Sequence, residues 1–137
     1  MGERETKQVI VMRRYFPDGE GGQKKVRTGK MMSQAAHAAM AVFFDRSEVT
    51  GLTMECRLTV AMAEWSTGSF GKIVVSVDTE EELLEIYQQA QDAELPCSLI
   101  TDSGRTEFDG EPTHTAVAVG PAYADEVDKI TGDLPLM

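Results

Sequence analysis

The chain has 137 residues, enough for one domain with a substantial core, and its 42% hydrophobic and 26% charged content is ordinary for a globular protein. No apolar run approaches the ~20 residues of a membrane span, and neither Cys56 with Cys97 nor His37 with His114 stands in a metal-ligand spacing. The net charge of −10 excludes a uniformly basic nucleic-acid binder, yet the charge is uneven: residues 1–30 hold eight Lys/Arg against four acids, and the rest hold five against nineteen.

Lys7 to Arg13 reads as a strand, since Val9, Ile10, Val11 and Met12 form the continuous apolar run of a strand covered on both faces. Tyr15 to Thr28, with Pro17, Gly19, Gly21 and Gly22 among charges, reads as a flexible loop. From Lys30 to about Arg46, alanines 35, 36, 38, 39 and 41 predict a helix. Apolar spacing through Leu52, Cys56, Val60 and Ala63 predicts a second helix over Thr50 to Trp65. Lys72 to Val77 is β-branched and strand-like. Thr79 then caps a third helix, whose opening Glu80, Glu81 and Glu82 complement the positive end of the helix dipole rather than hold a metal. Cys97 to Thr101 is a short strand, Asp102 to His114 a loop, and Thr115 to Val119 a fourth strand. Tyr123 to Ile130 is a short last helix, and the tail from Asp133 adds an edge strand.

This order predicts an α/β fold: one three-layer domain over residues 1–137, with a mixed, mostly parallel sheet of about four strands and helices on both faces. The loop before the fourth strand is too short for a crossover helix, so that strand pairs antiparallel. Ligands of open α/β sheets bind beyond the carboxyl ends of the strands. Two segments sit there: Arg27-Thr28-Gly29-Lys30 after the first strand, and Asp102-Ser103-Gly104-Arg105-Thr106 after the third. Lys30, Gln34 and His37 are spaced i, i+4 and i+7 and share a helix face. A lysine at a helix start opposes the dipole, so it is either solvated or offset by an anion. The two cysteines read as small hydrophobes in a reducing compartment, which places the protein in the cytoplasm.

Gly29-Lys30-x-x-x-Gln34-x-Ala36-His37-Ala38-Ala39 resembles the G-K-x-x-x-Q-x-(A/S)-H-A-A signature of the type II peptidyl-tRNA hydrolase family, and Asp102-Ser103-Gly104-Arg105-Thr106 is similar to its D-A-G-(R/K)-T loop. Thr113-x-Thr115 with Gly120-Pro121, the closing Asp128-Lys129-Ile130-Thr131-Gly132-Asp133-Leu134, and the opening strand through Arg13 resemble further elements of that family, in order along nearly the whole chain. The resemblance implies hydrolysis of the ester between a peptide's terminal carboxyl and the tRNA ribose, with no metal and no cofactor. Such chemistry needs an activated water, a stabiliser for the developing oxyanion and a grip on phosphate. On that basis Asp102 orients or deprotonates water, and Lys30 stabilises the oxyanion or binds a phosphate. Thr106 and Thr115 supply hydroxyls, and Gln34 fixes the lysine or the substrate. Arg105, Lys24, Lys25 and Arg27 form a basic patch for the tRNA backbone, with Thr113 beside them, and His37 packs or supports from behind. The resemblance and exposed edge strands also imply a homodimer, and nothing points to a membrane.

The chain departs from the family's pattern in a longer Tyr15 to Thr28 loop and in Gly110-Glu111-Pro112, where the family has Pro-Gly. It also departs in the acids Glu107, Asp109 and Glu111 near the expected phosphate approach. Those departures leave an alternative reading: a noncatalytic relative that binds RNA, nucleotide or a protein partner.

Overall fold

The structure, a computed structural model, describes residues 4–104, 108 and 110–137. Its elements run β1 (Thr6–Arg13), β2 (Phe16–Pro17), β3 (Gln23–Lys24), α1 (Thr28–Phe44), β4 (Ser47–Thr50), β5 (Thr53–Cys56), α2 (Val60–Thr67), β6 (Lys72–Val77), α3 (Glu80–Asp92), β7 (Cys97–Asp102), β8 (Thr113–Tyr123) and α4 (Ala124–Thr131). The main sheet has the order β6-β1-β8-β7. β6 lies parallel to β1 with Val11 opposite Val75, while β8 runs antiparallel to both β1 and β7, setting Val117 opposite Val11 and Leu99.

The mixed sheet and its antiparallel last strand follow the expectation, and β1, β6 and β7 all point one way. The pairings correct one part of it: only one of the three is parallel, because β8 inserts between β1 and β7 instead of adding at an edge. Burial explains the position. From Thr115 to Ala122 every residue of β8 is buried, the pattern of a strand covered on both faces and flanked on both sides.

Period-two alternation divides the sheet's side chains between two cores. Val9, Val11, Val75, Val77, Val117 and Val119 pack against Leu83, Ile86 and Ala90 of α3 and Val127 of α4. Ile10, Met12, Ala116 and Ala118 pack on the other face against Ala38 and Val42 of α1 and Met62 of α2. The small Ala116, Ala118 and Ala38 bring α1 close to the sheet, near enough for Ser98 Oγ to donate to the Ala38 carbonyl at 2.8 Å. That close approach sets where the start of α1 meets the sheet edge.

Two stretches differ from the reading of the sequence. The helix expected over Thr50 to Trp65 is instead the hairpin β4–β5 followed by α2 from Val60. Gly51 turns that hairpin with φ +62, and Thr59 starts the helix by accepting at its side chain from the Met62 amide at 3.1 Å. The long Tyr15 to Thr28 loop contains the small hairpin β2–β3, in which Phe16 pairs with Lys24. The tail lies along the β6 edge as expected, through a Val75–Leu136 bridge.

Candidate active site

The ends of β1, β6 and β7 and the start of β8 share one edge of the sheet, with α1 beginning beside it. Lys30, the third residue of α1, sends its Nζ to Asp102 Oδ1 at 2.7 Å, and the two side chains keep only 16% and 11% of their surface exposed. An anion offsets the lysine at the helix start, the second of the two outcomes that the dipole argument allowed. One turn further, buried Gln34 points its Nε2 at the same Asp102 oxygen at 3.5 Å. Thr115 Oγ1 donates to Gln34 Oε1 at 2.6 Å, and the Gly104 amide donates to Asp102 Oδ2 at 2.8 Å. Thr115, Gln34, Asp102 and Lys30 therefore form one chain of polar contacts spanning β8, α1 and β7.

A bulge places Thr115 in that chain. Ile100 opposes Ala116, but Thr101 opposes His114, so Thr115 is an extra residue on β8. Strict alternation with Val117 and Val119 would send Thr115 toward α3. The extra residue turns it instead to the α1 face, where Gln34 waits. Thr115→Val keeps the shape and removes the donor, leaving the Gln34 oxygen without that partner. We expect a loss of about 1–3 kcal/mol, read as a lowered urea midpoint at unchanged slope.

Burial by itself pushes the Asp102 carboxyl up, but the hydrogen bonds from Lys30 and Gly104 and the charges of Lys30 and His37 together hold it below the usual carboxylate range. The carboxylate form is thereby favoured while the group stays largely out of water.

Of the two roles read for His37, packing or support, the structure corrects the first. His37 lies exposed on α1 and acts on Asp102 through charge. Three residues past Gln34 is about 300° of helix, enough to turn the side chain off the buried line. His114 goes elsewhere, with Nδ1 3.5 Å from Glu80 at the start of α3, on the opposite face of the sheet from α1. Thr113 pairs with Asp102 in the ladder, and its hydroxyl donates to the Glu111 carbonyl at 2.8 Å. Lys24, Lys25 and Arg27 lie on the segment leading into α1; the Lys24 Nζ is 5.9 Å from the Phe108 ring centre and the Lys25 Nζ 5.3 Å from that of Tyr15. Arg105 and Thr106, with the acids Glu107 and Asp109, lie outside the described residues.

Sequence reading missed three contributors. Arg13, 6% exposed at the end of β1, donates from Nε to the Tyr15 carbonyl at 2.8 Å and from Nη1 to that of His114 at 3.3 Å, tying the strand end to the site's rim. Its place in the apolar opening strand was the available signal. The Gly104 amide was legible only as a glycine in the loop, and Phe108 carried no signal at all. Both cysteines are free and half-buried, and burial pushes the Cys97 thiol up, away from nucleophilic use. Among the described residues no group of three or more His, Cys, Asp or Glu side chains could hold a metal ion, and no helix is long and apolar enough to cross a membrane.

Comparison with known proteins places the whole chain. The family model described as peptidyl-tRNA hydrolase PTH2 matches residues 6–137. The peptidyl-tRNA hydrolase of Methanocaldococcus jannaschii is 38% identical over 132 residues, covering 96% of this chain and 99% of that protein. Those of Methanopyrus kandleri and Halobacterium salinarum are 37% and 38% identical, covering 96% and 95% of this chain and 97% and 98% of theirs. A solved protein of unknown function from Agrobacterium tumefaciens shares the fold, with a TM-score of 0.54 at 15% identity over 96% of this chain and 97% of its own. With nearly its whole length matched to the family model and to relatives well above 30% identity, the chain belongs to the peptidyl-tRNA hydrolase PTH2 family.

Proposed function

We propose that the chain hydrolyses the ester joining a peptide to the ribose of tRNA, using Lys30 and Asp102 as its catalytic pair. The observation that carries this is the 2.7 Å contact between the two side chains at the sheet edge, each mostly withdrawn from solvent. Asp102 accepts a hydrogen bond from the attacking water and takes its proton as the new bond to the ester carbon forms. The Lys30 ammonium faces the oxygen that becomes negative. Collapse breaks the bond to the ribose oxygen, which takes the proton held by Asp102, and the peptide's new carboxyl group gives up its own to solvent, leaving a free peptide carboxylate and tRNA. Gln34 orients Asp102 and is itself held by Thr115, while Thr106 supplies a further hydroxyl. Lys24, Lys25, Arg27 and Arg105 meet backbone phosphates, with Thr113 at the wall of the cleft.

The reading includes a single domain over residues 1–137, action in the cytoplasm where peptidyl-tRNA is met, and a homodimer. The dimer is supported by an apolar groove of about 550 Å³ between α1 and α2, lined by Met40, Phe43, Phe44, Trp65 and Phe70.

The test is release of N-acetyl-amino acid from tRNA by the purified protein, run beside the unblocked aminoacyl-tRNA. Turnover of the blocked substrate is expected. Binding of tRNA without turnover would leave only a noncatalytic role. The apparent affinity should fall steeply with salt, and removing Lys24, Lys25 and Arg27 together should lower the slope of log K against log[salt] by about 2–3. An unchanged slope would remove those residues from the phosphate contact.

A further inference from the structure

Phe16 and Phe108 are both buried, 1% and 6% exposed, yet neither belongs to the two cores that flank the sheet. They meet each other instead, ring centres 4.8 Å apart and tilted by 48°, across a separation of more than ninety residues. Phe16 comes from β2, in the long loop before α1, and Phe108 from the loop that begins at Asp102. The pair therefore joins the two segments that deliver the catalytic side chains.

Each ring is held from behind. The hairpin carrying Phe16 is closed by Asp18, whose Oδ1 accepts from the amides of Glu20 at 2.7 Å and Gly22 at 2.9 Å. The Arg13 guanidinium lies 4.6 Å from the Phe16 ring centre while its Nε holds the Tyr15 carbonyl. On the other side, the Gly110 amide donates to the Gly104 carbonyl at 2.8 Å and the Glu111 amide to the Phe108 carbonyl at 2.9 Å, tying Gly104 and Phe108 to the residues that lead into β8. The ring so placed has the Lys30 ammonium 5.9 Å from its centre. Gly104, bonded within this loop, is the residue whose amide holds Asp102.

We infer that Phe16 is a positioning residue for the Lys30–Asp102 pair, acting through Phe108, so that the hairpin before α1 serves as the clamp that sets the catalytic loop. The inference rests on the proposed function for its kinetic consequence, but its structural content stands apart from turnover. Loss of the clamp loosens two of the donors to Asp102, Lys30 and the Gly104 amide, and the carboxyl then titrates at higher pH. Among the described residues the charged groups acting on that carboxyl are Lys30 and His37, both from α1.

The test compares Phe16→Ala, Phe16→Leu, Phe108→Ala and the double alanine variant, at a temperature where circular dichroism finds every one folded. Phe16→Ala should lower kcat roughly tenfold with little change in KM, and move the acid limb of the pH profile upward. Phe16→Leu, which keeps apolar volume, should recover most of the loss. The double variant should be no worse than the poorer single one, as expected of residues acting as a unit. Carbon NMR titration of the Asp102 carboxyl should show the same upward move, whether or not the wild type turns over tRNA. A carboxyl that titrates unchanged in Phe16→Ala, or losses that multiply in the double variant, would overturn the inference. An upward-moved carboxyl in a protein without turnover would sink the proposed function alone.

Discussion

Lys30→Ala and Asp102→Asn should each lower turnover of N-blocked aminoacyl-tRNA by about a hundredfold or more while the domain stays folded. The two groups touch at 2.7 Å and serve one reaction, so the double variant should be little worse than either single one. Lys30→Ala carries a second, independent signature. Burial pushes Asp102 up and Lys30 is a major opponent of that push, so removing the lysine lets the carboxyl rise. In the wild type, activity that needs the carboxylate is present above the depressed folded value and lost as pH falls through it. The stability the pair contributes follows the same sign: it is fully present above the unfolded carboxylate value and disappears as pH falls through the lower, folded one. In Lys30→Ala the acid-side loss of residual turnover should move to higher pH, while the acid-side fall in denaturation midpoint should shrink, because the folded carboxyl no longer lies as far below its unfolded value. Full turnover by either variant would remove the assignment.

Gly104→Ala should be the most damaging single methyl group at the site. Gly104 has φ +84, and an added Cβ would lie 2.2 Å from the Glu111 carbonyl oxygen and 2.6 Å from that residue's backbone nitrogen and carbon. No side chain can yield there, so the loop backbone must shift, and the amide that donates to Asp102 Oδ2 shifts with it. We expect strain of about 1–3 kcal/mol and a tenfold or larger fall in kcat. Gly51→Ala, in the turn of the β4–β5 hairpin, is the control: φ is +62, but an added Cβ meets nothing within 4 Å. It should cost about 1–2 kcal/mol in backbone conformation and leave kcat near the wild-type value. Equal kcat values for the two variants would show that the close approach at Gly104 does not govern the Asp102 geometry.

The acidic body and the altered loop before β8 argued from sequence for a relative that had lost its chemistry. The contacts among Lys30, Gln34, Asp102 and Thr115 weigh against that argument, because the four side chains still form one connected set. The longer loop before α1, read as a flexible insertion, is a hairpin whose buried phenylalanine reaches the second catalytic segment.

What the sequence by itself determined was local. Alanine-rich composition and 3.6-residue spacing placed Lys30 and Gln34 on one face of α1, and the apolar runs placed β1, β6 and β7 with their carboxyl ends at a common edge, where Asp102 stands. The stretch from Thr50 to Cys56 was misread as helix because Leu52 and Cys56 continue a helical spacing into Val60 and Ala63, and a short run carries too few repeats to separate the two periods. Only the tertiary structure decided that β8 lies inside the sheet, that an unpaired Thr115 turns toward Gln34, and that Phe16 meets Phe108. Those three depend on which strand pairs with which and in what register. Pairings between distant segments are set by the burial each arrangement achieves, and no window of neighbouring residues records that sum.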